Sequence, residues 1–399
     1  MAKLENELVY VNRITNYFLS QTTMPVYLDC NATTPLDPEV ERDLMFFLRE
    51  EYGNAGSRTH EFGTRAKQAV QGARDQVAAI VKCLREEVIF TSGATESDNL
   101  AILGLREFGE KSGRRHIVST AIEHKAVLEP LEHLGRFGFE ISLLKPERDG
   151  AVSASKIAAA LRPDTLLVSV MHVNNETGII QPLADIAATL EGHEAFFHVD
   201  AAQGFGKRIP DLQNPRIDLL SISGHKIYAP KGVGALVTRR RGYTRPPLMP
   251  LAYGGGQERG LRPGTLPVAL IVALGRAAEL ALRDGDKRNA RCQQIKQQAM
   301  QVFAQVGGVP TGDQSKAVPS TLNIAIPGLD SEAAMVALKD IIAISNGSAC
   351  TSQNYTASHV LTAMGLPEDH VKGALRLSWC HLTPDVEWGK VAACINALR

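Results

Sequence analysis

From Pro25 to about Arg240, short apolar runs alternate with longer amphipathic stretches, a rhythm that predicts a mostly parallel sheet with helices on its faces. Runs that are apolar or β-branched and close on polar or glycine-containing residues mark strands. They lie at Val88–Thr91, His116–Ser119, Leu166–Val173, Ala195–Asp200, Leu219–Ser223 and Gly234–Thr238. Between them, His60–Val81 places Phe62, Ala66, Ala69, Val70, Ala73, Val77 and Ile80 at helical spacing, and Ala126–Phe137 repeats the pattern. Beyond the Gly- and Pro-rich stretch Tyr253–Pro267 the rhythm changes. Two long helices, Val268–Arg283 and Asp286–Val306, precede strands at Leu322–Ile326, Ile341–Ser345 and Ala374–Ser378. Helices at Glu332–Lys339, Ser358–Met364 and Val386–Leu398 are interleaved with them. The expected organisation is an N-terminal extension over residues 1–24, a large α/β domain over 25–266 and a smaller α/β domain over 267–399, with the extension packed on the latter.

Composition narrows the class of protein without specifying it. The 399 residues suffice for two to three structural units, and 44% hydrophobic with 22% charged residues is ordinary globular usage. Lys plus Arg and Asp plus Glu both number 43, so no net charge draws the chain to nucleic acid or anionic lipid, and direct nucleic-acid binding is not expected. The longest apolar stretches, such as Leu266–Leu274, contain Pro267 and fall far below the ~20 residues of a membrane span. Residues 1–24 lack the compact apolar region and small-residue cleavage site of a secretory signal, which predicts a cytoplasmic protein. Cysteines at 30, 83, 292, 350, 380 and 394 show neither C-x-x-C spacing nor close pairing, so neither a disulfide framework nor a metal site is expected.

Four constellations carry candidate chemistry. Thr91-Ser92-Gly93-Ala94-Thr95-Glu96 leads from a strand through glycine into a helix start, where free N–H groups and the helix dipole favour an anion; a capping role for Thr95 or Ser92 is the alternative. Phe196–Gln203 is a buried-type strand that ends in Asp200, with an amide three residues on. A carboxylate at such a strand end can pair with a protonated heterocyclic nitrogen, or simply cap a helix or meet solvent. In Ser221-Ile222-Ser223-Gly224-His225-Lys226 a lysine follows an apolar strand end. Desolvated among other cations it would become a nucleophile toward a carbonyl, against the usual role of a lysine in water. Cys350 sits in Asn346–Ser352 among small and polar residues after an apolar strand, a setting for an exposed thiolate rather than an inert core thiol.

These segments resemble the cysteine desulfurases of the NifS/IscS type within the class-V aminotransferase family, and the resemblance runs from Tyr27 onward. It rests on Y-L-D-C-N-A-T-T at 27–34, T-S-G-A-T-E-S-D-N-L-A at 91–101, E-H-K-A-V at 123–127 and H-V-N-N-E-T-G at 172–178. H-V-D-A-A-Q at 198–203, S-G-H-K-I-Y at 223–228, G-G-G-Q-E-R-G-L-R-P-G-T at 254–265 and G-S-A-C-T-S at 347–352 follow in order. The resemblance implies pyridoxal-phosphate-dependent transferase fold type I, pyridoxal 5′-phosphate as cofactor, L-cysteine as substrate and a homodimer. It makes Lys226 the Schiff-base lysine, Asp200 the partner of the pyridine nitrogen and His124 the ring-stacking proton carrier. Gln203 and Asn175 would lie beside the ring hydroxyl, Asn175 also beside the substrate. Ala94, Thr95, Ser223 and His225 would bind the phosphate, with Thr265 reaching it across the dimer interface, and Arg376 would hold the substrate carboxylate. Cys350, on what resembles the longer and flexible form of the catalytic loop, would take the sulfur as a persulfide.

Gln257 stands where many relatives have histidine, Cys380 where R-x-S-x-G would place glycine, and Cys30 lies in the first motif. The chain runs to Arg399 without the longer tail that in housekeeping iron-sulfur members is associated with scaffold docking. With C-N-A-T-T and G-G-G-Q-E-R-G, it resembles most the desulfurases of bacterial DNA phosphorothioation systems. The implied sulfur acceptor is a DNA-modification enzyme, with an iron-sulfur scaffold or a tRNA-thiolation protein as alternatives. A related lyase or aminotransferase is the same-fold alternative.

Overall fold

The computed structural model of the chain describes residues 24–346 and 357–398. Its strands are β1 (Val26–Tyr27), β2 (Val88–Thr91), β3 (His116–Thr120), β4 (Glu140–Leu144), β5 (Thr165–Met171) and β6 (Phe196–Asp200). They continue as β7 (Leu219–Ser223), β8 (Gly234–Thr238), β9 (Val309–Pro310), β10 (Thr321–Ala325), β11 (Ile342–Ala343) and β12 (Ala374–Ser378). The central seven-stranded sheet has the order β2-β8-β7-β6-β5-β3-β4, and β8 runs antiparallel to both of its neighbours while the other pairings are parallel. β5 and β7 are buried along their whole length, which is why they read as continuous apolar or β-branched runs instead of alternating ones. An antiparallel sheet β12-β10-β9 and a parallel pair β1-β11 form the smaller structures.

Parallel β2, β3, β5, β6 and β7 end on the same edge of the sheet, and the residues after those ends are the ones singled out by their motifs. β2 leads into helix Ala94–Leu103, β3 leads to His124, and β5 leads to Asn175. β6 ends at Asp200, and β7 ends at Ser223, just before the 3-10 turn Gly224–Lys226. The carboxyl edge of an open α/β sheet is where ligands are bound, because loops diverge there and leave a crevice.

Glycine is required where β8 passes the first of these loops. A Cβ on Gly234 would lie 2.3 Å from the Ile222 carbonyl oxygen and 2.6 Å from Gly93 Cα, so any larger residue would push the helix start away. The Gly-rich stretch is anchored differently. The Glu258 carboxylate accepts from Arg74 Nη2 at 2.7 Å and Nη1 at 2.9 Å and from the Phe90 N–H at 2.7 Å, all buried. Removal of either side of such a pair leaves an uncompensated buried charge, at a cost of about 3–5 kcal/mol.

The sequence predicts two helices, Val268–Arg283 and Asp286–Val306; the structure has one, Val268–Gln305. Asp284 and Gly285 do not break it, because an interior glycine costs only about 1 kcal/mol relative to alanine. Ion pairs hold this stretch: Arg283 to Glu39 at 2.6 Å, and Arg288 to Asp37 at 2.9 Å. Val268 to Ala281 pack into the apolar core that covers the central sheet, whereas Cys292 to Val306 belong to a second core with Leu322, Leu375, Trp379 and Trp388. The strand expected over Ile341–Ser345 contracts to Ile342–Ala343, with Ser345 forming an isolated bridge to Arg376. Among the described residues, no helix is long and apolar enough to cross a membrane.

Candidate active site

One cavity of about 600 Å³ opens at the carboxyl edge of the sheet, and Lys226, Asp200, His124, Asn175, Gln203 and Arg376 line it. Ala94, Thr95, Ser223 and His225 complete its wall. Thus eleven of the twelve residues implicated by sequence lie within the described residues, and ten converge on this cavity. Thr265 lines a separate cavity with Gln257, Arg259 and Asn54, and Cys350 lies outside the described residues.

Lys226 is held by the first motif. Its Nζ donates to the Ala32 carbonyl at 2.7 Å and to the Asn31 carbonyl, and the latter also accepts from Gln203 Nε2 at 2.9 Å. Thr34 Oγ1 accepts from the Tyr228 N–H at 2.9 Å and donates to the His225 carbonyl at 3.0 Å, fastening that motif over the turn that carries the lysine. Burial, then the positive charges of Lys207 and Arg376, bring Lys226 down to about 7. Reactivity toward a carbonyl requires the neutral amine, whose fraction for a group at about 7 rises from about one-tenth at pH 6 to about nine-tenths at pH 8. Borohydride trapping of a simple aldehyde at Lys226 in the cofactor-free protein is therefore expected to rise roughly tenfold from pH 6 to pH 8 and then level off. A rate still climbing above pH 9 would mark an ordinary solvated lysine.

Asp200 accepts from the Ala202 N–H at 2.8 Å and lines the cavity while 5% exposed. Burial, then the charge of Asp98, push its carboxyl up to about 7, so a cation brought against it would be stabilised. Behind it, His198 Nδ1 meets Ser169 Oγ at 2.8 Å and Nε2 meets Ser221 Oγ at 3.0 Å; Asp98 stands 3.4 Å from the same Nε2. His124 is the N-cap of helix Lys125–Gly135: its Nδ1 accepts from the Ala126 N–H at 3.1 Å, which leaves Nε2 as the protonated nitrogen of the neutral ring. Burial lowers its pKa.

At the helix start, Glu96 Oε2 accepts from the Ser92 N–H at 2.7 Å and Oε1 accepts from Arg262 Nε at 3.0 Å, so both oxygens of the acidic residue in the first turn are taken by other donors. This leaves Ala94 and Thr95 facing the cavity, an arrangement suited to a phosphate. His225 is brought down to about 4 by burial and then by Lys226, so it meets an anion as a neutral hydrogen-bonding ring, with Nδ1 3.2 Å from Thr33 Oγ1.

Asn31, Asp98, Glu176 and His359, to which the sequence motifs assign no role, also line the cavity. Glu176 accepts from Ser358 Oγ at 2.5 Å and His359 Nε2 meets the Glu123 carbonyl at 3.0 Å, tying helix His359–Ala363 to the sheet edge. Asn31, Asp98 and Glu176 fall inside quoted motifs, but the carbonyl oxygen at 31 and the facing of 98 toward 198 depend on contacts between distant segments. His359 lies outside every motif.

A sheet with this carboxyl-edge cavity, a lysine on the turn after one strand and a carboxylate ending the next defines an aminotransferase-like site. The chain belongs to the aminotransferase class-V family, whose model matches residues 26–386. It is 45% identical over 355 residues to the cysteine desulfurase IscS of Anaeromyxobacter dehalogenans, covering 88% of this chain and 87% of that protein. Among solved structures, DndA from Streptomyces lividans superposes with a TM-score of 0.79 at 50% identity, over 89% of this chain and 98% of that one. SspA in complex with cysteine gives 0.77 at 35% identity, over 88% and 98%.

Proposed function

We propose that this chain is a pyridoxal 5′-phosphate-dependent L-cysteine desulfurase that releases L-alanine and retains the sulfur as a persulfide on Cys350. The observation that carries this reading is the convergence of Lys226, Asp200, His124 and the helix start at Ala94–Thr95 on one cavity. The family generally uses this cofactor, and the side chains fit it. Asp200, short of a cation, suits the pyridine nitrogen; Ala94, Thr95, Ser223 and His225 suit the phosphate; Gln203 and Asn175 suit the ring hydroxyl; and the depressed Lys226 suits the carbonyl carbon. When bound, the cofactor supplies an electron sink for the pair released at the substrate Cα.

The chain's own groups do the rest. The Asn31 and Ala32 carbonyls orient Lys226 Nζ, which takes the Cα proton as a neutral amine. His124 Nε2, opposite an occupied Nδ1, is placed to carry a proton over the same cavity. The planar guanidinium of Arg376 orients the substrate carboxylate through paired N–H donors. The Cys350 thiolate attacks the substrate sulfur, the S–Cβ bond breaks, its electron pair stays with the carbon, and protonation completes alanine.

The active unit is a homodimer in which Thr265, outside this cavity, would help to hold the cofactor phosphate bound in the partner subunit. Delivery within a DNA phosphorothioation system is favoured by C-N-A-T-T and G-G-G-Q-E-R-G, and the 50% identity to DndA supports it. The 45% identity to IscS supports the second reading, a sulfur donor for iron-sulfur clusters or tRNA thiolation. The protein acts in the cytoplasm. The test is the product: purified protein loaded with the cofactor is expected to be yellow and to form one alanine per sulfur removed from L-cysteine. Pyruvate or a keto acid in place of alanine would make it a lyase or aminotransferase.

A further inference from the structure

We propose that Asp29 is a positioning residue that aims Arg376 at the α-carboxylate of the substrate, an inference that rests on the amino-acid substrate and the role of Arg376 given above. Arg376 Nη2 donates to Asp29 Oδ1 at 2.7 Å, with side-chain exposures of 6% for the arginine and 18% for the aspartate. The pair joins the segment after β1 to strand β12. Asp29 follows β1 and bridges to Ser378 in β12, with the Cys30 N–H donating to the Ser378 carbonyl at 3.0 Å and the Ser378 N–H to the Leu28 carbonyl at 2.8 Å. Arg376 lies two residues before Ser378 on the same strand, and its backbone is also paired with Ser345. Both ends of the ion pair therefore sit on backbone fixed by hydrogen bonds.

Of the five N–H donors of the guanidinium, one meets Asp29 and one on Nη1 meets the Asn175 carbonyl at 3.2 Å, while the buried Nε has no partner among the described residues. The remaining donors make no hydrogen bond to a described residue and can serve a carboxylate entering the cavity, which Arg376 lines and Asp29 does not. Asp29 thus acts through Arg376: its charge keeps a buried cation compensated and its oxygen selects one rotamer of a long, flexible side chain. A substrate carboxylate then meets a pre-aimed guanidinium and loses less ordering entropy on binding.

The consequence for binding falls on ligands that carry the carboxylate, while the Asp29 charge, which also raises Lys226, accounts for the smaller change expected in kcat. In the cofactor-loaded enzyme, Asp29→Ala is expected to raise KM for L-cysteine about tenfold while kcat moves less than about threefold, with Asp29→Asn between it and the parent because the amide oxygen still accepts from Nη2. Binding of cysteamine, which lacks the carboxylate, read from the change it makes in the visible band, is expected to be unaltered by Asp29→Ala. An unmoved KM for cysteine, or cysteamine weakened as much as cysteine, overturns the proposal, the latter outcome marking a merely structural role. Arg376→Ala separates this from the function on which it rests. A KM raised by Arg376→Ala and not by Asp29→Ala overturns the positioning alone; a KM unmoved by both overturns the substrate role of Arg376 as well.

Discussion

Lys226→Ala is expected to abolish alanine formation, lowering the rate by at least about 10³-fold, and to change the visible spectrum of the cofactor-loaded protein. Two functions are lost together. The amine brought down to about 7 by burial and by Lys207 and Arg376 is the group that would bond the carbonyl, and the same nitrogen, set by the Asn31 and Ala32 carbonyls, would move the Cα proton. Positioned proton transfer alone is worth about 10²–10⁴-fold. Retention of full desulfuration by this variant would remove the basis of the proposed function. Lys226→Arg is not expected to rescue it, because a guanidinium stays protonated in proteins.

Cys350→Ser is expected to separate the two halves of the reaction. The variant keeps every described residue of the cavity, so it should bind the cofactor with the parental visible band, yet lose desulfuration by on the order of 10³-fold and carry no persulfide. A serine hydroxyl is a far poorer nucleophile than a thiolate at neutral pH and cannot form the S–S bond that stores the sulfur. Mass spectrometry of the parent after reaction with cysteine should show one added sulfur atom on the peptide containing Cys350. The same mass gain on the Cys350→Ser protein would place the acceptor elsewhere. Cys30 and Cys380 are poor substitutes for it, being 2% and 1% exposed against Tyr228.

The fold was legible where burial is one-sided in its consequences. β5, β6 and β7 carry apolar runs because the sheet is covered on both faces, and the residues that end them, Asp200 and Ser223, announced themselves by contrast. The apolar spacing predicts helix Glu61–Val81 nearly to the residue; His60, first in the predicted run, is the N-cap, its ring accepting from the Gly63 N–H at 3.2 Å. The sequence predicts two helices where Val268–Gln305 is one, because local composition at Asp284-Gly285-Asp286 resembles a turn and the ion pairs that hold this stretch come from Asp37 and Glu39, about 250 residues away. Short elements such as β4 and helix Leu183–Thr189 escaped because a few residues of either period look alike.

For the site, residue types at strand ends were enough to nominate Lys226 and Asp200. Their chemistry was not legible, because it comes from neighbours remote in sequence. The charge that acts with burial on Asp200 is Asp98 on another element, and the oxygens that orient Lys226 belong to residues 31 and 32. A main-chain carbonyl leaves no mark in a motif. Asp29 and Arg376 are separated by 347 positions and meet because the chain just after β1 bridges β12 at Ser378.

The uninterrupted helix Val268–Gln305 bears on how the molecule comes apart. At about 1.5 Å per residue, its 38 residues make a rod of roughly 57 Å, and the two apolar cores grip opposite ends of it. A protease meets no slack connector between residues 283 and 287, and neither core can melt without fraying the backbone ladder on which the other is mounted. Heat or denaturant is then expected to unfold both cores in one transition, seen as a single calorimetric peak.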